Sequence, residues 1–599
     1  MNGQLKLRLN INEKYKWDLN PIYPTLDDWE KDLQFVESNY SKIKNFESKL
    51  GNSSNDLLLC FKFSEKIEIK LDRLGLYAFL SKDLDLDNKT YQEIYGRLSS
   101  LGTLISQAFS FITPELMTIP EETLNSFINE NPELQIYRHY FENLIRSKEH
   151  ILSKESENLL ALSGNITPTA SNTFSYLKNT DIQYPTIKDE DGNDFQISDG
   201  RYSYALFSTN REFRKEVYTN YYTPYKQFQN TFSSLFVGSI KSYIFKAKAR
   251  KYNSTLELCL KPNNIPIEVY SNLVETVNNN LAPLHRWAAL RKKVLNLDEL
   301  HPYDTYVTMF PEIKKKFTYD EGVELVIKSL EILGEEYVVP LKEAFNNRRV
   351  DVYETKGKRS GAYSSGTTFG VNPYVLMNWN DELSDVSTLA HELGHNMHSL
   401  FTGQNQPYVY ASYPIFLAEV ASITNEALLL EYLLKNATTK IEKLSLLEMY
   451  ANKFVTTFYR QIGFAEFELK THQLTEKGEA LNSDTLSSIY GDIYQKYWGK
   501  DVIMDDEEKL TWARVPHFYY GFYVYQYATG LAVAEQMVDN IIKDQKSGIE
   551  SLMKFLKAGR SNYPIDVLKE SNIDITNQST IMNCISKFDS IITEIENNL

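Results

Sequence analysis

His391, Glu392 and His395 stand together as HELGH, two histidines four positions apart with a carboxylate beside the first. Four residues make about one helical turn, so on a helix the two imidazoles rise from one face and two ring nitrogens can reach one metal ion. Zinc accepts neutral imidazole, and a coordination position left open lowers the pKa of a water molecule from about 16 to about 7. Glu392 flanks that position, where it can take a proton from the water and later give one to a leaving amine, which is the chemistry of peptide hydrolysis. An ordinary amphipathic helix with solvated histidines is the plain alternative. A catalytic site of this kind needs a third protein ligand. The extended HExxHxxGxxH pattern does not supply it, because His398 occupies the glycine position and Phe401 the last histidine position. His398 shares the histidine face but lies about 10 Å along the axis from His391, too far to join both others on one ion. Glu419 and its rival Glu426, seven residues apart in YPIFLAEVASITNEALLLEYLL, are the candidates, and Glu426 could instead support a ligating histidine.

These residues need elements to carry them. Val386, Leu389, Ala390, Leu393, Met397 and Leu400 recur at helical spacing opposite His391 and His395, which predicts a helix over Ser384–Gly403 with its apolar stripe in the core. Ser384 is the expected N-cap, Asp385 favours the positive helix end, and Gly403 is the expected stop. Pro414 should open a second helix whose face of Ile415, Ala418, Ala421, Leu428 and Leu429 packs inward and lets Glu419 reach the metal. Between Val350 and Trp379 glycines, hydroxyls and alternating aromatics replace helical periodicity and predict a small antiparallel sheet. Its edge strand, with Gly361, Ala362, Tyr363 and Ser364, could hold a peptide as an added strand or merely support the site. Arg359 reads as surface charge.

Elsewhere the pattern is helical. Segments from Trp17 to about Leu162 are punctuated by Pro114, Pro120 and Pro132, and a hairpin turn at Asp191 and Gly192 is expected at the join between lobes. Thr209 and Glu212 form a capping-box pattern before a long helical run interrupted at Pro224. Late in the chain RVPHFYYGFYVYQYATG sets His517 among Tyr519, Tyr520, Tyr523, Tyr525 and Tyr527. Aromatic helices are usually core, yet a histidine and phenols beside a metal could donate to an oxyanion.

Composition narrows the function further. With 64 basic against 79 acidic residues the formal charge is −15, so a nucleic-acid backbone is repelled, and the short basic cluster from Lys246 to Lys251 reads as a solvated face. Cys60, Cys259 and Cys584 are few, odd in number and far apart, as expected of reduced core thiols. No apolar leader or bilayer-length run is present, so a cytoplasmic protein without a membrane partner is expected.

HELGHNMHSLF, FLAEVASITNE and RVPHFYYGFYVYQYATG together resemble oligoendopeptidase F, a branch of the thimet oligopeptidase group of zinc metallopeptidases. The likeness runs from WDLNPIYP through NTDIQYPTIKDEDG to the last tyrosine-rich segment. It implies His391, His395 and Glu419 as ligands of one Zn2+ per chain and Glu392 as general base. By the same likeness the tyrosine-rich segment supplies the oxyanion donors, for which His517, Tyr520 and Tyr525 are the candidates. The implied fold is mainly α, a two-lobed helical metallopeptidase with a small antiparallel β-sheet beside the HExxH helix and a deep substrate channel. Residues 1–200 would form a helical N-terminal lobe and 201–599 the catalytic region. The expected activity is zinc-dependent endopeptidase hydrolysis of internal bonds in short unstructured oligopeptides. A zinc carboxypeptidase or dipeptidyl carboxypeptidase is the enzymatic alternative and would need a cation for the substrate terminus. A peptide-binding protein without catalysis is the other alternative, and the intact HELGH argues against it. The oligomeric state is left open.

Overall fold

In this computed structural model, residues 5–311, 313 and 315–599 are described. The helices that matter for function are α1 (Ser54–Leu84), α2 (Lys89–Phe109), α3 (Leu383–Asn405), α4 (Ile415–Asn436), α5 (Arg460–Glu476) and α6 (Ser483–Trp498). Local capping explains several of their starts. Ser53 accepts a hydrogen bond from the Asp56 amide to begin α1, and Asn88 does the same for α2 from the Tyr91 amide. Among the described residues five short strands accompany them, β1 (Thr186–Lys188), β2 (Asp194–Gln196), β3 (Val350–Asp351), β4 (Tyr363–Ser364) and β5 (Val375–Leu376).

The chain divides into two compact units, each assembled from three separate segments. Unit 1 comprises Met1–Glu149, Lys314–Tyr432 and Met537–Ile573, and unit 2 comprises His150–Ile313, Leu433–Gln536 and Asp574–Leu599. The core of unit 1 joins distant stretches of sequence: Trp29 and Leu33, Leu74 of α1 and Leu98 of α2 pack in one cluster with Tyr374 and Leu376 at β5. The N-terminal helices therefore share their core with the sheet that accompanies the HELGH helix. The 200/201 division falls inside unit 2, as does the β1–β2 hairpin, whose turn at Asp191–Gly192 forms as expected with Gly192 at a φ of +80°.

The sheet of unit 1 has the order β3-β5-β4. β4 runs antiparallel to β5, with Tyr363 opposite Leu376 and Ser364 opposite Val375, and lies at an edge as expected. β3 adds a parallel pairing to the expected antiparallel one, with Val350 opposite Val375. Arg359 is not a lone surface charge. Its guanidinium pairs at 3.2 Å with Asp83 of α1, which is fully buried and also accepts the Tyr363 hydroxyl at 3.0 Å, so the edge strand is tied to the helical core.

Several helix ends differ from expectation. The N-cap of α3 is Glu382, not Ser384: Glu382 and Asp385 cap each other's backbone amides, a reciprocal box that Ser384 cannot form from inside the first turn. Gly403 does not stop the helix, which continues to Asn405. Asn210 replaces Thr209 as a cap, accepting from the Phe213 amide at 3.2 Å. Pro224 lies within the helix Arg211–Gln227, and the break falls four residues later at Phe228. Cys60, Cys259 and Cys584 are all free thiols. No helix among the described residues is long and apolar enough to cross a membrane.

Candidate metal centre

The stripe read from the sequence places α3. Val386, Leu389, Ala390, Leu393 and Met397 are fully buried and Leu400 nearly so, which turns His391 and His395 the other way. α4 begins directly after Pro414 and crosses α3. The crossing is very close: a Cβ added at Gly394 would lie 2.5 Å from the Ser422 Cα and 2.6 Å from the Ala421 carbonyl oxygen. Only glycine leaves room there. Asn425 clamps the same crossing, donating to the Ala390 carbonyl at 3.1 Å while accepting the Tyr337 hydroxyl at 2.9 Å. Of the face expected to pack inward, Ala421, Leu428 and Leu429 are buried, together with Phe416, Leu417 and Val420, whereas Ile415 is half exposed.

This crossing brings Glu419 to the histidines. His391 Nε2 and His395 Nε2 are 3.2 Å apart, and Glu419 Oε2 lies 3.5 Å from the first and 3.6 Å from the second. Ligand atoms about 2.0–2.1 Å from a tetrahedral zinc stand about 3.3 Å from one another, so the donor set fits such an ion. Among the described residues this is the one group of three or more His, Cys, Asp or Glu side chains whose donor atoms converge. Glu426 does not join them. Its carboxylate meets His391 Nδ1 at 2.6 Å and accepts from the Ser387 hydroxyl at 3.3 Å, which fixes the imidazole with Nε2 toward Glu419. The His395 ring is held by a hydrogen bond to the Ala418 backbone. His398 is buried against Tyr413, ring on ring at 3.7 Å, and burial lowers its pKa to about 3.

Electrostatics match a cation site. Burial works against a charged His391, but the hydrogen bond to Glu426 and the charges of Glu426, Glu419 and Glu392 outweigh it and raise its pKa. Burial, reinforced by neighbouring His391, lowers that of His395 to about 4. Glu392 is 8% exposed, and burial raises its carboxyl above the ordinary glutamate value, against the pull of His391 and of a hydrogen bond from the Ser364 amide. That last contact links the edge strand to the site. Ser365 donates to the Tyr374 carbonyl across the ladder at 2.8 Å, so Ser364, one residue earlier, turns its amide and carbonyl away from β5.

The profile described as Peptidase family M3 matches residues 205–586, and that described as Oligopeptidase F matches 115–184. The chain belongs to peptidase family M3. Within the M3 family it is 42% identical to Oligopeptidase PepF of Bacillus subtilis over 99% of this chain and 88% of the relative. It is 38% identical to Group B oligopeptidase PepB of Streptococcus agalactiae, covering 98% of each. Oligoendopeptidase-F of Enterococcus faecium superimposes with a TM-score of 0.74 at 34% identity, over 95% of this chain and 98% of that one. The M3 chain is thus an oligoendopeptidase and a metallopeptidase, and the carboxypeptidase and binding-protein alternatives give way.

The tyrosine-rich segment lies in unit 2. His517 sits in a cluster of rings, with Tyr523 stacked at 5.9 Å and Tyr520 and Tyr527 edge-on at 6.0 Å. Burial, with a smaller push from Lys178, lowers its pKa, so the ring is neutral near pH 7. Tyr520 is 58% exposed. Tyr525 is 2% exposed, its ring 5.0 Å from that of Tyr270, so it packs in the interior of unit 2. Gly394, Asn425 and the contact of the Ser364 amide with Glu392 were not read from the sequence, where Ser364 stood only as an edge-strand residue. The glycine had a signal, since glycine inside a strongly helical motif marks a close approach; the other two did not.

Proposed function

We propose that the chain is a zinc-dependent, cytoplasmic endopeptidase that cuts internal bonds of short unstructured peptides, with His391, His395 and Glu419 holding one Zn2+ and Glu392 acting as general base. The observation that carries this reading is the approach of three neutral or anionic donors to within 3.6 Å of one another beside a buried glutamate. Zinc in this position supplies a Lewis acid that acidifies water to a pKa of about 7 and polarises the scissile carbonyl. The protein's part is proton transfer and orientation. A Glu392 carboxylate oxygen takes the proton of the attacking water and returns it to the departing amide nitrogen. The Ser364 amide, donating to that carboxylate, aims it. Burial raises the affinity of Glu392 for the proton it must carry between the two steps.

The edge strand Gly361, Ala362, Tyr363 and Ser364 is proposed to receive the peptide backbone, with the outward Ser364 carbonyl accepting a substrate amide. Such pairing reads backbone more than side chains, which suits a broad oligopeptide diet. For His517 and Tyr520 the proposal is donation to the oxyanion, on the grounds of the sequence resemblance and of a neutral, N–H-bearing imidazole. Tyr525 is assigned to packing.

The test pairs metal analysis with kinetics. Glu392→Gln should retain one zinc per chain and lose at least about 100-fold in kcat on an internally quenched peptide blocked at both ends. Unchanged turnover in that variant removes the base assignment, and a wild-type protein purified with no stoichiometric metal removes the zinc reading.

A further inference from the structure

Unit 2 contains a cavity of about 60 Å3 whose polar wall is formed by Arg460 of α5, Tyr494 of α6, Tyr306, Glu508, Thr511 and Arg514. Its charges do not balance. Among the described residues Arg460 has one hydrogen bond, Nη2 to the Tyr306 hydroxyl at 3.3 Å, and its guanidinium carbon lies 5.4 Å from the centre of that ring. Arg514 stands over aromatic faces, 5.2 Å from Tyr202, 5.4 Å from Tyr221 and 5.9 Å from Tyr222. Among the described residues its guanidinium makes no hydrogen bond or ion pair, and the carboxylates of Glu508 and Asp199 act on it only through their charge. Glu508 is engaged elsewhere: its Oε1 accepts from Thr511 at 3.0 Å and from Tyr490 at 3.3 Å. Burial pushes the Glu508 carboxyl up to about 7, so near neutral pH it carries only part of a negative charge.

Two buried arginines of this unit show what is missing. Arg214 meets Asp304 at 2.7 Å, and Arg291 meets Glu448 at 3.2 Å. A guanidinium shut away from water without such a partner is destabilising. Cation–π contact with tyrosine faces offsets only part of that loss. Two positive groups facing one partly neutralised carboxylate leave net positive charge in a small space ringed by phenol and threonine hydroxyls, which can donate as well as accept.

We propose that this cavity binds a small monovalent anion between Arg460 and Arg514. The volume is about that of two water molecules, room for a halide and too little for a peptide or a sugar acid. Occupancy fastens the short helix Glu508–Arg514 to α5, and that helix leads directly into Pro516–Tyr519, which carries His517. The anion therefore acts as a structural counter-charge for the segment that the tyrosine cluster grows from.

Chloride is the probe. The unfolding midpoint of the full-length, metal-loaded protein should be followed in sodium chloride and in sodium gluconate at matched ionic strength, gluconate being too large for the cavity. A saturable rise of about 1–3 °C in chloride alone is expected, together with its loss in Arg514→Gln. Identical midpoints in the two salts at every concentration would overturn the proposal, as would a full chloride response in the variant. Should Arg514→Gln fail to fold, crystals of the unaltered protein soaked in bromide decide the matter. An anomalous peak between the Arg460 and Arg514 guanidiniums is expected, and its absence refutes the site.

Discussion

His391 touches two carboxylates with different tasks. Glu419 approaches its Nε2 from the side where His395 also converges, whereas Glu426 holds Nδ1 at 2.6 Å and so fixes which nitrogen faces the proposed ion. Removing them should have unequal consequences. Glu419→Ala deletes the proposed third ligand and is expected to lose bound metal altogether. Glu426→Ala deletes only the orienting bond and should keep metal with about 10- to 100-fold weaker affinity, read by competition with a chelator. Full metal retention in Glu419→Ala with loss in Glu426→Ala would reverse the two assignments.

At the level of elements, the site depends on how closely α4 crosses α3. Gly394 sits at the crossing, where any side chain meets the backbone of Ala421 and Ser422. Gly394→Ala should therefore push the helices apart, cost about 1–3 kcal/mol in stability and reduce bound metal, though it alters no ligand. A variant with unchanged zinc content and unfolding midpoint would show that the crossing tolerates a methyl group. The tyrosine-rich segment has a comparable support in α5. Phe522 and Gly521 adopt positive φ angles of 51° and 57°, and the Phe522 amide donates to Glu468 at 2.6 Å. Glu468 is fully buried, its other oxygen has no partner, and burial raises its pKa to about 8. The folded state then binds this proton more tightly than the unfolded chain, whose glutamates titrate near about 4.3. That contribution to stability is complete below about pH 4 and is lost as pH rises through about 8. Glu468→Gln keeps an acceptor for Phe522 without the ionisation. Its midpoint should gain on that of the parent protein between about pH 5 and about pH 8, and a constant difference would contradict the buried-acid reading.

Across the whole molecule, each unit is built from segments far apart in the chain, and ion pairs mark the joins. In unit 1 Asp351 of β3 is 1% exposed and receives Arg8 at 2.6 Å, Lys358 at 2.8 Å and the Trp17 amide at 3.2 Å. Burial alone would raise its pKa, but Lys358 and Arg8 outweigh it and hold the carboxyl below the ordinary range. A depressed folded value gives stability that is present above the unfolded pKa of about 3.9 and lost as pH falls through the folded one. Asp351→Ala should cost about 3–5 kcal/mol near neutral pH, because it strands two cations, and its deficit should narrow below about pH 4. Denaturant titrations of both proteins at the two pH values measure this directly.

HELGH at helical spacing, the apolar stripe opposite it and the glutamate-bearing helix after Pro414 were enough to write down the ligand candidates, because helix periodicity is local and one turn sets which side chains share a face. The hairpin at Gly192 and the edge position of β4 were legible for the same reason, being matters of turn chemistry and of residues close in sequence. The choice between Glu419 and Glu426 was not, since both lie on similar faces of α4 and only the angle at which that helix crosses α3 turns one toward the imidazole pair and the other behind it. Nor could the chain order reveal that the first helices pack on the sheet at Tyr374 and Leu376, or that Arg359 meets Asp83. Contacts between residues hundreds of positions apart are fixed by packing, and packing exists only once the whole unit has closed around its core.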